Sequence, residues 1–361
     1  MKDGSNGIAQ SLAAIGADPR LRDDMLALLR RVERRLARRD FDVREQATGV
    51  LIDALHAGCG PLRKRLRSGI EFHFHYRSKI ARDFVMSPDP EPDHVWEPQT
   101  TKLLLHLGAG AGQVVVGGAY SGDQAILLAQ AMAGRGGICH CFEPNHDQMD
   151  MLRRNAQANG LDNLVLNRLG LWETDDFRLR LVGDDSFAHP EAATAADDPD
   201  AFATVTIDSY GKSHGLDRIG LIMLDIEGAE LAALKGARAY LGQPPGVAPA
   251  VIFEVHRHYV DWSNGLGNTE IASFLKRFGY ALFAVRDYQS NVPMEGQPIE
   301  LIRPEHTYLE GPPHGFNMLA VKDEAVLDAR HFRFCTGVSP KLLAHRDPKL
   351  HQPLAAAAAA E

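Results

Sequence analysis

The stretch from Gln113 to Asn145 decides the fold, and it reads QVVVGGAYSGDQAILLAQAMAGRGGICHCFEPN. It opens with the β-branched run 114–116, which favours a buried strand. A glycine-rich turn over 117–122 separates this strand from a predicted helix over 123–132, and a second apolar strand over 138–142 ends on Glu143. The order strand, glycine turn, helix, strand predicts a β-α-β unit.

Two features of this unit indicate a nucleoside-binding site. Gly118 and Gly122 let the backbone approach a ligand closely and leave N–H groups of the next helix available to it. Glu143 follows the turn by about 20 residues, the spacing at which a carboxylate accepts hydrogen bonds from a ribose diol. The alternative is a turn between strand and helix that binds nothing.

A second glycine cluster, Gly108 to Gly112, looks more like a phosphate-binding fingerprint than the turn itself. The residues after it are strand formers, however, whereas a phosphate-binding loop opens a helix. Ser121 and Gln124 have the spacing of a capping box, which indicates that a helix begins after the later turn. We therefore interpret the cluster at 108–112 as the loop that leads into the first strand.

Composition limits the class of protein. The 361 residues, 45% of them hydrophobic, suffice for one large domain with an appendage or for two domains. A net charge of −8 argues against a general nucleic-acid binder. Because no apolar run reaches membrane-spanning length and the first residues lack a signal-peptide core, we expect a cytoplasmic protein without a membrane partner. Cys59, Cys139, Cys141 and Cys335 lack metal-ligand spacing, so core packing is expected of the pair in the second strand.

The chain divides into three predicted parts. Residues 1–95 are mainly helical and end in the proline-rich segment 87–92, interpreted as a linker. Residues 96–325 form the α/β domain, and residues 326–361 form a C-terminal tail. Two segments of the α/β domain are predicted to be loops: the polar stretch 183–203, on the surface, and 286–316, of the kind that covers a site. The N-terminal segment is expected to cap the substrate site or to form a homodimer.

Further strands, predicted at 164–166, 221–226, 251–255, 280–285 and 317–321, alternate with helices. This alternation predicts a doubly wound, mostly parallel sheet. Ligands of such sheets bind beyond the carboxyl ends of the strands. Six side chains or turns fall at or near such ends: Gly118, Glu143, Asp225, Glu227, Glu254 and His256.

Several motifs together resemble those of FkbM-type methyltransferases: GAYSG at 118–122, FEPN at 142–145, LDIEGAE at 224–230, LKG at 234–236 and IFE at 252–254. The resemblance covers residues 96–321. It implies a class I, Rossmann-like, seven-stranded sheet with a reversed last strand. It also implies S-adenosylmethionine as cofactor and a hydroxyl of a sugar, glycan or polyketide-type product as acceptor. The implied cofactor-binding residues are Gly118, Ala119, Tyr120, Gly122, Asp123, Glu143, Pro144, Asn145, Leu171 and Asp225.

The sequence departs from the family pattern at two positions. Val116 stands where the first strand usually ends on an acid that helps to hold the methionine amino group, and Tyr120 stands where asparagine is common. Asp123 or a backbone carbonyl would have to take over the role of that acid.

The predicted catalytic residues are Asp225, Glu227, Glu254 and His256. Side chains alternate along a strand, so the first two should share one face, as should Glu254, His256 and His258. A histidine beside carboxylates suits a base that accepts the hydroxyl proton, and we predict metal-free catalysis by His256. Two alternatives stay open: a divalent ion held by the same groups, and acids that merely orient the next helix.

Two other functions share part of this pattern. A nicotinamide-dependent oxidoreductase could use the turn and the ribose-binding acid, but the turn lacks a clean G-x-G-x-x-G. A catalytically silent protein could keep the nucleoside site and the fold.

Overall fold

The computed structural model describes residues 2–38, 40–183, 188–193, 198, 200–309 and 315–354. Its α-helices are α1 Lys2–Ala17, α2 Pro19–Leu36, α3 Gly49–His56, α4 Lys79–Met86, α5 Pro98–Gly108, α6 Ala125–Ala133, α7 His146–Ala158, α8 Ile207–Ser213, α9 Glu230–Lys235, α10 Arg238–Leu241, α11 Glu270–Arg277 and α12 Pro348–His351. Its strands are β1 Leu62–Arg65, β2 Glu71–Phe74, β3 Gln113–Gly117, β4 Ile138–Phe142, β5 Leu164–Asn167, β6 Gly170–Leu171, β7 Arg178–Val182, β8 His189–Ala192, β9 Ala201–Val205, β10 Leu221–Leu224, β11 Ala250–Val255, β12 Ala281–Val285, β13 Ile299–Ile302, β14 Phe316–Val321 and β15 Phe332–Cys335.

The main sheet has nine strands in the order β15-β13-β12-β14-β11-β10-β3-β4-β5. Strand β14 runs antiparallel to both of its neighbours, β11 and β12. The seven strands from β12 to β5 therefore confirm the predicted sheet with its reversed last strand. The predicted number of strands was too low, because β13 lies inside the supposed loop 286–316 and β15 inside the supposed tail. Both are four-residue strands whose pairing is with distant segments.

Helices cover both faces of the sheet. Val114 and Val116 pack into one core with Leu128 of α6, whereas Val115 packs into the opposite core with Leu234 of α9. Because strand residues alternate between faces, a strand buried on both sides must be apolar throughout. The doubly wound arrangement predicted from the sequence is confirmed.

The segment before the main sheet is in close contact with it. Phe72 of β2 and Phe84 of α4 belong to the same core as Leu152 of α7. The amide of Asn155 accepts a hydrogen bond from the backbone N–H of His73 and donates to the carbonyl of Ser121. Residues 62–86 thus pack into the core of the main sheet, even though the segment 87–92, interpreted as a linker, separates them from the α/β domain along the chain. The boundary at residue 95, like a role in capping or dimerisation, stays a prediction.

A second, four-stranded sheet in the order β6-β9-β7-β8 lies between β5 and β10 in the chain. The prediction of a surface loop over 183–203 was wrong where β8 and β9 form. Strand β8, with the sequence HPEA, has little intrinsic preference for a strand, and it is stabilised by its pairing with β7. Residues 184–187, 194–197 and 199 lie outside the described residues.

None of the described helices is both long enough and apolar enough to cross a membrane. All four cysteines are unpaired, and Cys139 and Cys141 are buried in β4, as predicted for core residues.

Arg286 is fully buried and ties three distant segments to the edge of the main sheet. It pairs with Glu300 of β13, and its guanidinium donates to the carbonyls of Ser339 at 2.8 Å and of Leu350 and Gln352 at 2.9 Å. Burying a charge costs little only when it is paired and fully hydrogen-bonded. The fold of this edge therefore depends on residues up to at least 352.

His140 of β4 gives the folded protein an acid-sensitive point. Its side chain is 3% exposed and lies 2.8 Å from both the hydroxyl of Tyr210 and the amide oxygen of Gln113. Burial lowers the pKa of His140 from 6.5 to about 4. Between these values the unfolded chain binds more protons than the folded one, so stability should fall as the pH falls.

We expect the free energy of unfolding to drop between pH 6.5 and pH 4, with His140 contributing at most about 3 kcal/mol. Denaturant titrations of the wild type and of His140→Gln at several pH values measure this contribution. The variant should show a shallower acid limb, and His146→Gln, which alters an exposed histidine, should not. Identical slopes for the wild type and His140→Gln would refute the assignment.

Candidate active site

One large cavity opens beyond the carboxyl ends of β3, β4, β10 and β11. Residues from the predicted site that line it are Gly118, Ala119, Tyr120, Asp123, Glu143, Pro144, Asn145, Leu171, Asp225, Glu227, Glu254 and His256. Gly122 is the exception. A β-carbon there would meet Leu152 at 2.6 Å, so Gly122 allows close packing beneath the turn rather than contact with a ligand.

The glycine turn places the backbone of Gly118 directly against the backbone of Asp225. Gly118 has φ +74°, and a β-carbon at this position would lie 1.8 Å from the carbonyl oxygen of Asp225. Only glycine fits such a conformation and such an approach. The predicted capping box was wrong: α6 begins at Ala125, and Gln124 makes no side-chain cap. The Gln124 amide instead points towards Glu97, at 3.5 Å.

Glu143 is held in a fixed orientation at the end of β4. One of its oxygens accepts a hydrogen bond from the backbone N–H of Tyr120 at 2.9 Å, and the other from the N–H of Asn145 at 2.8 Å. These two hydrogen bonds fix the orientation of the carboxylate. Leu171, 4% exposed, also lines the cavity, whereas Trp172 stacks on Phe177 away from it.

Three carboxylates meet at the ends of β10 and β11. Asp225, Glu227 and Glu254 each place an oxygen within 4.8 Å of the other two. Strand alternation does not bring the first two together, since β10 ends at Leu224. A turn with left-handed backbone at Glu227 (φ +50°) does so. The carboxylate of Glu230 stabilises this turn by accepting the N–H groups of residues 226 and 228.

Asp225 and Glu227 line the cavity, and the carboxylate that bonds to the backbone of this turn is that of Glu230. The alternative that Asp225 and Glu227 orient the next helix stays a prediction.

Burial makes this cluster hold protons tightly. It raises the pKa of Asp225 to about 6 and that of Glu227 to about 8, the latter with help from the neighbouring charge of Asp225. Glu254 is 8% exposed, and burial together with the charges of the other two acids raises its pKa well above the usual range. Such groups exchange protons near neutral pH or bind a cation, and three carboxylates also suit a divalent metal.

His256 lies just past the end of β11 and lines the same cavity. Its Nδ1 accepts the backbone N–H of His258 at 3.2 Å, and the two rings stack with centroids 4.9 Å apart. His258 is exposed and does not line the cavity. The strand ends before either histidine, so the predicted common face holds for Glu254 and His256 as neighbours in the cavity but not for His258.

Sequence reasoning missed several cavity residues. Glu97 lies in the cavity wall before α5, Lys79 reaches it from α4, and the small sheet contributes Leu179 and Phe202. No local motif marks these residues, because long-range packing brings them to the site. Of two nearby aromatic side chains, Trp96 lines the cavity, whereas the hydroxyl of Tyr76 donates to Asp53.

The sheet order, the reversed strand, the glycine turn and the acid after β4 define the domain as a class I, Rossmann-like methyltransferase fold. Residues 117–282 match the model of the methyltransferase FkbM domain. This match confirms, over these residues, the resemblance to FkbM-type methyltransferases that the motifs predicted.

Solved structures show weak similarity to this chain. The methyltransferase FkbM from Methylobacillus flagellatus is 16% identical with a TM-score of 0.35, and the match covers 58% of this chain and 44% of that one. A putative O-methyltransferase from Klebsiella pneumoniae is 15% identical (TM-score 0.33; 62% and 79% covered), and an O-methyltransferase from Bacillus cereus in complex with SAH is 16% identical (TM-score 0.33; 64% and 84%). This chain thus spans less than half the length of the Methylobacillus protein. None of the curated proteins compared with the chain matches it.

Proposed function

We propose that the protein transfers a methyl group from S-adenosylmethionine to a hydroxyl of a sugar, glycan or polyketide-type small molecule. The observation that carries the proposal is the meeting of Glu143, the Gly118 turn, the three carboxylates and His256 in one cavity. A nucleoside site alone would need only the first two. Proton-accepting groups beside it are what methylation of a hydroxyl requires.

The residues present suit the cofactor. Glu143 would accept hydrogen bonds from the ribose hydroxyls, and Leu171 would pack beside the adenine. The absence of a side chain at Gly118 lets the turn lie against the backbone of Asp225, and the turn would place its own backbone beside the ligand. When bound, S-adenosylmethionine supplies an electrophilic methyl group.

The chain itself would supply orientation and proton transfer. Attack by a hydroxyl requires its oxygen to be held in line with the methyl group while its proton is removed. His256 would accept that proton, and Glu227 and Glu254 would orient the hydroxyl and stabilise the resulting imidazolium. Asp225, beneath the Gly118 turn, would lie between the two ligands. This mechanism needs no metal and predicts that EDTA leaves the activity unchanged. Loss of activity with EDTA and recovery with Mg²⁺ would favour the metal alternative.

The acceptor side of the cavity includes residues from outside the family domain. Lys79 and Ile80 come from the N-terminal segment, Trp96 directly follows it, and Gln289 and Gly315 come from the segment between β12 and β14. An aromatic ring such as that of Trp96 suits the apolar face of a sugar. Their position supports acceptor recognition by these two segments, with a small molecule or glycan rather than nucleic acid as partner. A homodimer formed through the N-terminal segment is the alternative role for that part of the chain.

Thermal-shift measurements with S-adenosylhomocysteine and with NAD separate the methyltransferase from an oxidoreductase. Only a ligand that binds the folded state raises the midpoint, and we expect S-adenosylhomocysteine alone to do so. Methyl transfer to a panel of hydroxylated acceptors then distinguishes an enzyme from a silent binding protein. A shift with NAD only would refute the proposal.

Glu143→Ala should weaken binding of S-adenosylhomocysteine by roughly tenfold to a hundredfold, because hydrogen bonds to a charged group contribute about 1.5–3 kcal/mol. Isothermal calorimetry measures the effect. Asp147→Ala is a matched control, since this nearby acid is exposed and pairs with Arg77; its affinity should equal that of the wild type. Unchanged affinity in Glu143→Ala would contradict the ribose assignment.

A further inference from the structure

Glu97 has an unusual position and backbone. It is 3% exposed, lines the cavity, and has a left-handed backbone with φ +46°. A left-handed conformation is uncommon for residues other than glycine, and such strain persists only where the surrounding structure enforces it.

The carboxylate of Glu97 is not needed by the helix that it precedes. The first N–H groups of α5, those of Gln99 and Thr100, donate to the carboxylate of Asp287 at 3.0 and 2.7 Å. Glu97 itself makes no side-chain cap. A residue at a helix start normally uses its side chain in this way. The Glu97 carboxylate is therefore available for another partner.

Neutral groups hold one end of this carboxylate. Its Oε2 accepts hydrogen bonds from the amides of Asn317 at 2.7 Å and Gln124 at 3.5 Å, and among the described residues none donates to Oε1. Gln124 follows Asp123 at the end of the glycine turn, so Glu97 lies beside the place where the turn meets the ligand. The carboxylate is fixed in orientation, with one oxygen left for a ligand.

The charges around Glu97 are mostly acidic. Its acidic neighbours are Asp287, Asp225 and Asp123, and the buried Lys341 interacts with it electrostatically without forming a salt bridge. Burial and these charges raise its pKa well above the usual range. A buried carboxylate in this situation gains most from a cationic ligand that donates hydrogen bonds.

We infer that Glu97 accepts a hydrogen bond from the α-ammonium group of the methionine part of S-adenosylmethionine. It would take the place of the strand-end acid that is missing at Val116, which is buried in the core. The sequence suggested Asp123 for this role. Asp123 lies at the end of the glycine turn between β3 and α6, whereas Glu97 reaches the site from the segment before α5. The inference rests on the proposed function, since it assumes this cofactor.

Two ligands isolate the ammonium group. S-Adenosylhomocysteine has the amino-acid end, and 5′-methylthioadenosine has the adenosine and thioether without it. Calorimetry on Glu97→Gln should show S-adenosylhomocysteine weakened by roughly tenfold to a hundredfold and 5′-methylthioadenosine unchanged. Asp123→Asn is the matched variant and should affect S-adenosylhomocysteine less. Thermal midpoints of the ligand-free proteins establish that both variants fold, and Glu97→Asp, which keeps the charge, should recover part of the affinity.

Each other outcome has a definite meaning. An unchanged affinity of Glu97→Gln for S-adenosylhomocysteine, or an equal loss for both ligands, overturns the role of Glu97 while the proposed function stands. A selective loss in Asp123→Asn but not in Glu97→Gln assigns the ammonium to Asp123. A wild type that binds neither ligand refutes the proposed function itself.

Discussion

Alanine at position 118 should reduce the affinity for S-adenosylhomocysteine by at least about a hundredfold, equivalent to about 3 kcal/mol. The added β-carbon would stand 1.8 Å from the carbonyl oxygen of Asp225, on a residue whose φ is +74°. Backbone cannot yield as the end of a flexible side chain can, so the turn, the residue after β10, or both must move. Either movement displaces the walls of the cavity. Calorimetry measures the affinity, and the thermal midpoint of the ligand-free variant reports the accompanying loss of stability.

The chain contains its own control for this experiment. Gly112 belongs to the earlier glycine cluster and does not have a left-handed φ, and a β-carbon added there would meet no described atom within 4 Å. Gly112→Ala should bind S-adenosylhomocysteine as the wild type does. Equal effects of the two substitutions, or wild-type affinity in Gly118→Ala, would show that close backbone approach at the turn is not what the ligand needs.

His256→Ala should lower turnover by about a hundredfold to ten-thousandfold while leaving cofactor affinity intact, as expected when a general base is removed. His256 lines the cavity with Glu254 and the turn of Glu227, whereas the glycine turn and Glu143 form the part of the cavity proposed to bind the cofactor. Single-turnover methyl transfer with a saturating acceptor, alongside calorimetry with S-adenosylhomocysteine, separates the two effects.

His258→Ala is the matched control for this variant. The two rings stack, but His258 is exposed and does not line the cavity, so its removal should change turnover little. If His256→Ala keeps full turnover, the proton must go elsewhere. The carboxylates of Glu227 and Glu254 would then be the groups to substitute next.

Sequence patterns within a single helix or strand predicted the features of the fold that depend only on residues close together in the chain. The apolar run 114–116 required burial on both faces, and both cores contain it. The order of the strands in the sheet could be predicted only through the family resemblance, since the sequence of one strand does not indicate which other strands it pairs with. Strand β8 was missed because its own residues have little preference for a strand, and its pairing with β7 stabilises it.

The same distinction applies to the site. Glu143, Asp225 and Glu254 follow or end apolar strands, so their convergence at one edge follows from the topology of a parallel sheet. Glu97 precedes a helix, where an acid usually indicates capping. Its contact with the cavity depends on Asp287, a residue far along the chain that takes the capping role. No pattern around residue 97 carries that information.

The buried Arg286 has a consequence for how the protein is made. Its partners Leu350 and Gln352 follow it by 64 and 66 positions, and the N–H of Leu354 donates to Glu300, 54 positions earlier. On the ribosome, the guanidinium therefore cannot make all of its hydrogen bonds until Leu350 and Gln352 have left the exit tunnel. A chain that ends before residue 350 would contain an incompletely bonded buried charge, a state that cellular quality control removes efficiently.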